Sequence, residues 1–136
     1  MRIEHVALWT HDLERLRSFY EANFGGRAGP RYDNPAHQFS SHFIDFGSGA
    51  RLELMQMARV PEVAVDPRIQ RTGLIHLAFD AADEAAVDAL TARLESGGHR
   101  VLEVPRRTGD GYYESVVQDP DGNLLEITAP PHPTGL

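Results

Sequence analysis

The sequence predicts an α+β fold built from two tandem βαβββ units, each carrying a mixed sheet. Three observations predict it. Residues 3–27 (IEHVALWTHDLERLRSFYEANFGGR) and 74–100 (LIHLAFDAADEAAVDALTARLESGGHR) share one layout: a strand-like run holding a His, an acidic helix start, an amphipathic helix and a Gly-Gly stop. Gly49-Ala50-Arg51-Leu52-Glu53-Leu54 is similar to Gly122-Asn123-Leu124-Leu125-Glu126-Ile127. The offsets agree, with His5 and His76 lying 71 residues apart and Glu53 and Glu126 lying 73 apart. A duplication accounts for both.

Each element follows from local signals. Residues 2–9 alternate, with Val6 and Leu8 on one face and His5, Ala7 and Trp9 on the other. Asp12 suits a helix N-cap, and Leu13, Leu16, Phe19, Tyr20 and Phe24 recur at helical spacing up to Gly25-Gly26. Strands are expected near 27–32, 38–46 and 50–57, with Phe46-Gly47-Ser48-Gly49 as a turn. In the second unit, residues 74–80 form a strand and a helix begins near Ala82 or Asp83. It buries Val87, Leu90 and Leu94 and stops at Gly97-Gly98. Strands near 99–106, 112–118 and 123–128 follow, with Asp119-Pro120-Asp121-Gly122 as the turn. The division is therefore a first unit over 1–57, a linker over 58–72 containing Pro61 and Pro67, a second unit over 73–128 and a tail over 129–136.

Composition removes several chemistries. The 136 residues hold no cysteine, which excludes disulfides, thiolate nucleophiles and iron–sulfur clusters. All 13 basic residues are arginine, so no lysine forms a Schiff base. The net charge of −7 argues against a nucleic-acid partner. Met1-Arg2-Ile3-Glu4-His5 does not read as a signal peptide, and no stretch approaches the ~20 apolar residues of a membrane span. The expected class is a soluble, cytoplasmic domain with no membrane partner.

The chemistry lies where the repeats coincide. Each unit places a His in its first strand and a Glu in its last. Alternation turns Ile75, Leu77 and Phe79 under the helix and His76 away from it. By the same rule Leu125 and Ile127 face the helix and Glu126 does not, while Leu52 and Leu54 leave Glu53 beside Arg51, Met55 and Met57. His5, Glu53, His76 and Glu126 thus share the face that the helices leave open. One strand His or Glu alone is an ordinary side chain. Two carboxylates at equivalent positions amid Leu and Ile need a common compensation. One divalent ion per site supplies it, since imidazole and carboxylate together suit Ni²⁺, Zn²⁺, Co²⁺, Mn²⁺ or Fe²⁺. Two nitrogens and two oxygens leave coordination positions open, as catalysis requires.

This pattern resembles the vicinal oxygen chelate superfamily, the glyoxalase–bleomycin resistance–dioxygenase family, and within it glyoxalase I. The resemblance runs over residues 1–128 and rests on the His5-Val-Ala opening, Phe19-Tyr20…Phe24-Gly25-Gly26, and Asp119-Pro120-Asp121-Gly122-Asn123-Leu124-Leu125-Glu126. It implies cupped sheets closing around a metal held by His5, Glu53, His76 and Glu126. It also implies a lyase that isomerises a hemithioacetal through a metal-stabilised enediolate, with Glu126 as principal base and Glu53 as second proton carrier or fixed ligand. His5 and His76 would each need an acceptor on the ring nitrogen turned away from the metal. Trp9 and Met57 stand where the family carries an arginine and an asparagine that hold glutathione. That wall is apolar here, which counts against glutathione as the thiol. Arg51, Arg106 or Arg107 could hold a carboxylate instead. Trp9, Met57, Arg51 and Tyr113 are the candidate substrate contacts, Tyr113 because the loop from Gly109 to Ser115 can line a pocket mouth. His42 is read as structural, and His11, His37, His99 and His132 as surface residues. The family also implies a homodimer in which the first half of one chain faces the second half of the other.

Two alternatives remain open. An iron extradiol dioxygenase could use His5, His76 and Glu126. A non-catalytic binding or resistance protein would suit Trp9 and the tyrosines, but it leaves the two carboxylates without a purpose.

Overall fold

The computed structural model describes residues 1–131, so His132 lies outside the described residues. The chain divides into two compact units, Met1–Ala64 and Val65–Leu136. In the first unit the elements are β1 (His5–Thr10), α1 (Leu13–Phe24), β2 (Arg27–Ala28), β3 (Tyr32–Asn34), a 3₁₀ turn (Pro35–His37), β4 (Phe39–Asp45) and β5 (Arg51–Gln56). The second holds β6 (His76–Asp80), α2 (Glu84–Ser96), β7 (Val101–Arg107), β8 (Tyr113–Gln118) and β9 (Leu124–Ala129). The strand orders are β1-β5-β4-β2, with β3 also on β4, and β6-β9-β8-β7. In both sheets the first strand lies parallel to the last, and the other neighbours are antiparallel.

The helices begin where their acids cap them. Asp12 Oδ1 accepts from the Arg15 amide at 3.1 Å, and Asp83 Oδ1 accepts from that of Ala86 at 2.8 Å. α1 buries Leu13, Leu16, Phe19 and Tyr20, and packs on β4 and β5, whose Ile44, Leu52 and Leu54 are buried. α2 buries Val87, Thr91 and Leu94, and packs on β7, β8 and β9, where Val117, Leu125 and Ile127 are sealed from solvent. The two Gly-Gly stops work differently. Gly25 takes the left-handed φ of 67° after α1, whereas Gly98, the second of its pair, takes φ 86° after α2.

Four local expectations change. Both first strands begin at their His rather than two or three residues earlier. The strand expected over 27–32 is broken, because Pro30 has no amide to donate and one extra residue enters between Ala28 and Tyr32. Pro105 interrupts β7 in the same way, within a stretch of shifted register. At the other end, β9 takes in Ala129, which is buried, so the last strand reaches one residue into the expected tail. The DPDG turn is held by Asp119, which is buried and accepts from the amides of Asp121 and Asn123, each at 2.9 Å. No helix among the described residues is long and apolar enough to cross a membrane.

Candidate metal centre

Register brings each His to its Glu in the same way. His5 pairs with Arg51 across β1 and β5, and Ala7 with Glu53. His76 pairs with Leu124 across β6 and β9, and Ala78 with Glu126. In both parallel pairs the Glu therefore stands two positions beyond the residue opposite the His, and strand alternation puts both side chains on one face. That face is turned from the helix, since Leu52, Leu54, Leu125 and Ile127 take the other.

In the second unit the pair has closed to an ion-pair distance. His76 Nε2 lies 3.3 Å from Glu126 Oε1, with the Glu126 side chain 20% exposed. Both line a cleft of about 580 Å³ within this unit, together with Arg68, Arg100, Arg106 and Val116.

In the first unit the His is oriented from behind. His5 Nδ1 donates to Glu4, whose carboxylate also accepts from Arg51 Nε at 2.9 Å and from Arg51 Nη2. These hydrogen bonds, the His5 one foremost, hold the Glu4 carboxyl below its usual range. The His5 ring stands edge-on to Phe43, with centroids 5.4 Å apart, and the Arg51 guanidinium lies 4.3 Å from the centroid of that same ring. Nδ1 is thereby fixed as the donor and Nε2 is left as the nitrogen able to take a metal, the arrangement a ligating imidazole requires. Glu53 is half-buried and is opposed across β4 by Phe43.

Within each unit the donor pair, one imidazole and one carboxylate, is of the chemistry that suits a divalent ion: His5 with its open nitrogen and Glu53 in the first, His76 and Glu126 in the second. Each unit presents one His–Glu pair. Among the described residues no three His, Asp or Glu side chains converge on one point.

The other candidates separate. Trp9 lies on the open face, 44% exposed, with its ring edge-on to Phe39 at 6.1 Å. Met57 follows β5, and its sulfur accepts from Arg59 Nε at 3.0 Å. Arg51 is on the open face but is engaged by Glu4. Tyr113 does not join them. It lies on the helix side of β8, where its hydroxyl donates to Asp88 of α2 at 2.7 Å and Arg107 covers its ring. The hairpin before it closes tightly through Thr108 and Tyr112, which turns the strand that way. Arg107 is also on that side, paired with Glu84, whereas Arg106 lines the cleft and is held by Glu103.

His42 is structural, buried under α1 with Nδ1 donating to the Gly29 carbonyl at 2.9 Å and Nε2 meeting Glu14 Oε1 at 3.0 Å. Hydrogen bonds from Arg17, and then from His42 and Arg31, lower the Glu14 carboxyl from 4.5 to about 2 against the effect of burial. His11 is exposed, and its Nε2 donates to the Val60 carbonyl.

One site residue escaped the sequence reading. Glu114 stands opposite Thr128 across β8 and β9, next to the Val116–Glu126 pair. Its side chain is 14% exposed, and burial, followed by the charge of Glu126, raises its pKa. Ser115 and Val117 carry the helix side of β8, so alternation alone places Glu114 with Glu126. The strand expected over 112–118 already holds Glu114, and applying to it the alternation used for Glu126 is the signal that finds it.

Known proteins match the chain over nearly its whole length. Residues 2–127 match the family described as Glyoxalase/Bleomycin resistance protein/Dioxygenase superfamily. An uncharacterized protein of Bacillus subtilis, YqjT, is 30% identical over 94% of this chain and 98% of its own length. A lactoylglutathione lyase of Escherichia coli O157:H7 is 27% identical over 93% of this chain and 91% of its own. Among solved structures, glyoxalase I from Zea mays superposes with a TM-score of 0.78 at 25% identity, covering 96% of this chain, which spans 45% of that protein.

Proposed function

The chain belongs to the Glyoxalase/Bleomycin resistance protein/Dioxygenase superfamily, and on that premise we propose that it is a metal-dependent lyase of the glyoxalase I type. Its substrate in this reading is a hemithioacetal or a related compound with two adjacent oxygens. The observation that carries the reading is the repeated His–Glu register: the same two-position offset puts His5 with Glu53 and His76 with Glu126 on the open faces of their sheets. Relatives named lactoylglutathione lyase support the reaction class.

His5, Glu53, His76 and Glu126 would hold one divalent ion, which supplies a Lewis acid for charge developing on adjacent oxygens. The chain's own residues supply the rest. Glu126 takes the proton from the substrate carbon and returns it to the neighbouring one. Its shielded position beside His76 limits competition from water, and Glu53 is the second carboxylate able to carry a proton. Glu4 holds His5 in the tautomer that leaves Nε2 free, and Arg51 holds Glu4. Trp9 and Phe39 give the first sheet an apolar wall, which fits a thiol other than glutathione. The proposed working form is a homodimer.

The test is turnover of methylglyoxal hemithioacetals of several biological thiols by protein loaded in turn with Ni²⁺, Zn²⁺, Co²⁺, Mn²⁺ and Fe²⁺. Thioester product is expected with at least one thiol, and Glu126→Gln should lower kcat roughly 10²–10⁴-fold. No product with any thiol and any ion would refute the lyase.

A further inference from the structure

The open face of the second sheet carries more polar capacity than the proposed centre uses. Thr128 follows Glu126 by two residues on β9, a separation of about 6.6 Å along the strand. Glu114 is its direct cross-strand partner on β8. The Thr128 hydroxyl is buried and is the one buried side-chain polar atom with no hydrogen bond among the described residues. The cation nearest Glu114 in an ion pair is Arg106, whose Nη2 is 3.9 Å from its Oε1 while closing on Glu103. That distance leaves both Glu114 oxygens able to accept.

The fold gives no reason for this pair. Neither side chain caps a helix or braces a turn, and their register equivalents in the first sheet are Ser41 and Met55. Shielding a hydroxyl with no hydrogen bond, and a carboxyl whose ion-pair partner Arg106 stands 3.9 Å away, costs stability that an apolar pair would avoid. The other groups on this face are committed. Asp80, in register with Thr128, accepts from the Ala82 amide at 2.8 Å, and His76 faces Glu126.

We propose that Glu114 and Thr128 form a polar subsite that binds a hydrogen-bond donor of the substrate, an ammonium or a hydroxyl, carried a few atoms from its two adjacent oxygens. An ammonium has enough protons for a Glu114 oxygen and the Thr128 hydroxyl together, and a hydroxyl can donate to Glu114 while accepting from Thr128. The open face of the second sheet is thereby polar where that of the first carries Trp9 and Phe39. The proposal rests on reading Glu126 as part of a metal centre.

The test measures binding and stability instead of turnover. Wild type, Glu114→Leu and Thr128→Val, loaded with Ni²⁺ and in a second series with Zn²⁺, are titrated calorimetrically with three hydroxamates that chelate through adjacent oxygens. These are butyrohydroxamate, 3-aminopropanohydroxamate and 3-hydroxypropanohydroxamate, alike in length and different in their ends. Wild type should bind the amino or the hydroxy probe about tenfold more tightly than the methyl-ended one. Glu114→Leu should erase that preference and leave butyrohydroxamate binding as it was. The thermal midpoint of both metal-free variants should stay level or rise, since what is lost is at most the half-exposed Arg106 contact at 3.9 Å. Equal binding of all three probes by wild type would overturn the subsite and leave the metal centre standing. Lower midpoints in the variants would make the pair structural and overturn it as well. If no hydroxamate binds wild type, the metal-centre reading fails and the subsite falls with it.

Discussion

The two open faces start from the same plan and end with different chemistry. In the first sheet the open face that carries His5 and Glu53 holds Phe43, Ser41, Trp9 and Met55; in the second, the matching positions beside His76 and Glu126 hold Val116, Glu114, Asp80 and Thr128. The helix sides diverge as well. Where His42 of β4 meets the Glu14 carboxylate of α1 at 3.0 Å, Ser115 occupies the matching register position on β8 and shares a 2.6 Å hydrogen bond with Thr91 of α2. The repeat has kept its buried apolar framework and its His–Glu register and has varied most of the other open-face positions. A duplicated scaffold can thus offer one metal-ligand pattern twice and still present two unlike walls.

Equivalence of the framework is the part most sharply broken by cavity mutations. Leu52 and Leu125 precede the two glutamates and both are buried, so Leu52→Ala and Leu125→Ala should each cost about 2–5 kcal/mol in denaturant unfolding. A variant losing less than about 1 kcal/mol would show that its unit does not depend on that layer.

The Gly-Gly stops should differ more than their sequences suggest. A Cβ on Gly26 would come within 2.5 Å of Ile44 Cγ2, whereas on Gly97 its nearest neighbour lies at 3.4 Å. Gly26→Ala is expected to destabilise by about 1–3 kcal/mol, and Gly97→Ala by less than about 0.5 kcal/mol. Thermal melts of the two variants decide this.

The smallest effect concerns the helix–sheet junctions. Glu14 has a folded pKa of about 2 against an ordinary 4.5, so its contribution is present above 4.5 and fades as pH falls through about 2. Because Glu14 is half exposed, solvent screening holds that contribution below about 1 kcal/mol. Glu14→Gln should therefore be less stable than wild type at neutral pH and converge with it in acid. Ser115→Ala, at the neutral junction, should lose about 1 kcal/mol at every pH. A pH-independent Glu14→Gln deficit would contradict the charged junction.

What could be read from the sequence was what alternation and spacing govern. The helix faces, the Asp12 cap and the common face of each His–Glu pair follow from spacing and alternation, whereas the shared offset came from register. What depends on contacts distant in sequence stayed hidden. The Glu4–Arg51 brace behind His5 joins residues 47 apart, and the Tyr113–Asp88 bond that turns Tyr113 to the helix side spans 25. Pro30 was visible, but its power to split a strand depended on pairing with β4. Glu114 lay within the expected strand over 112–118, but its place beside Glu126 depended on the pairing of β8 with β9.

The central claim is that the two glutamates are equal partners in one ion site, and metal content tests it most directly. Wild type, Glu53→Ala and Glu126→Ala would be exposed equally to Ni²⁺, Zn²⁺, Co²⁺, Mn²⁺ and Fe²⁺, desalted, and measured by inductively coupled plasma mass spectrometry. The account predicts about one ion per site in wild type and a large, similar loss in both variants. Wild type that retains no ion, or a Glu53→Ala protein that retains it as fully as wild type, would contradict it.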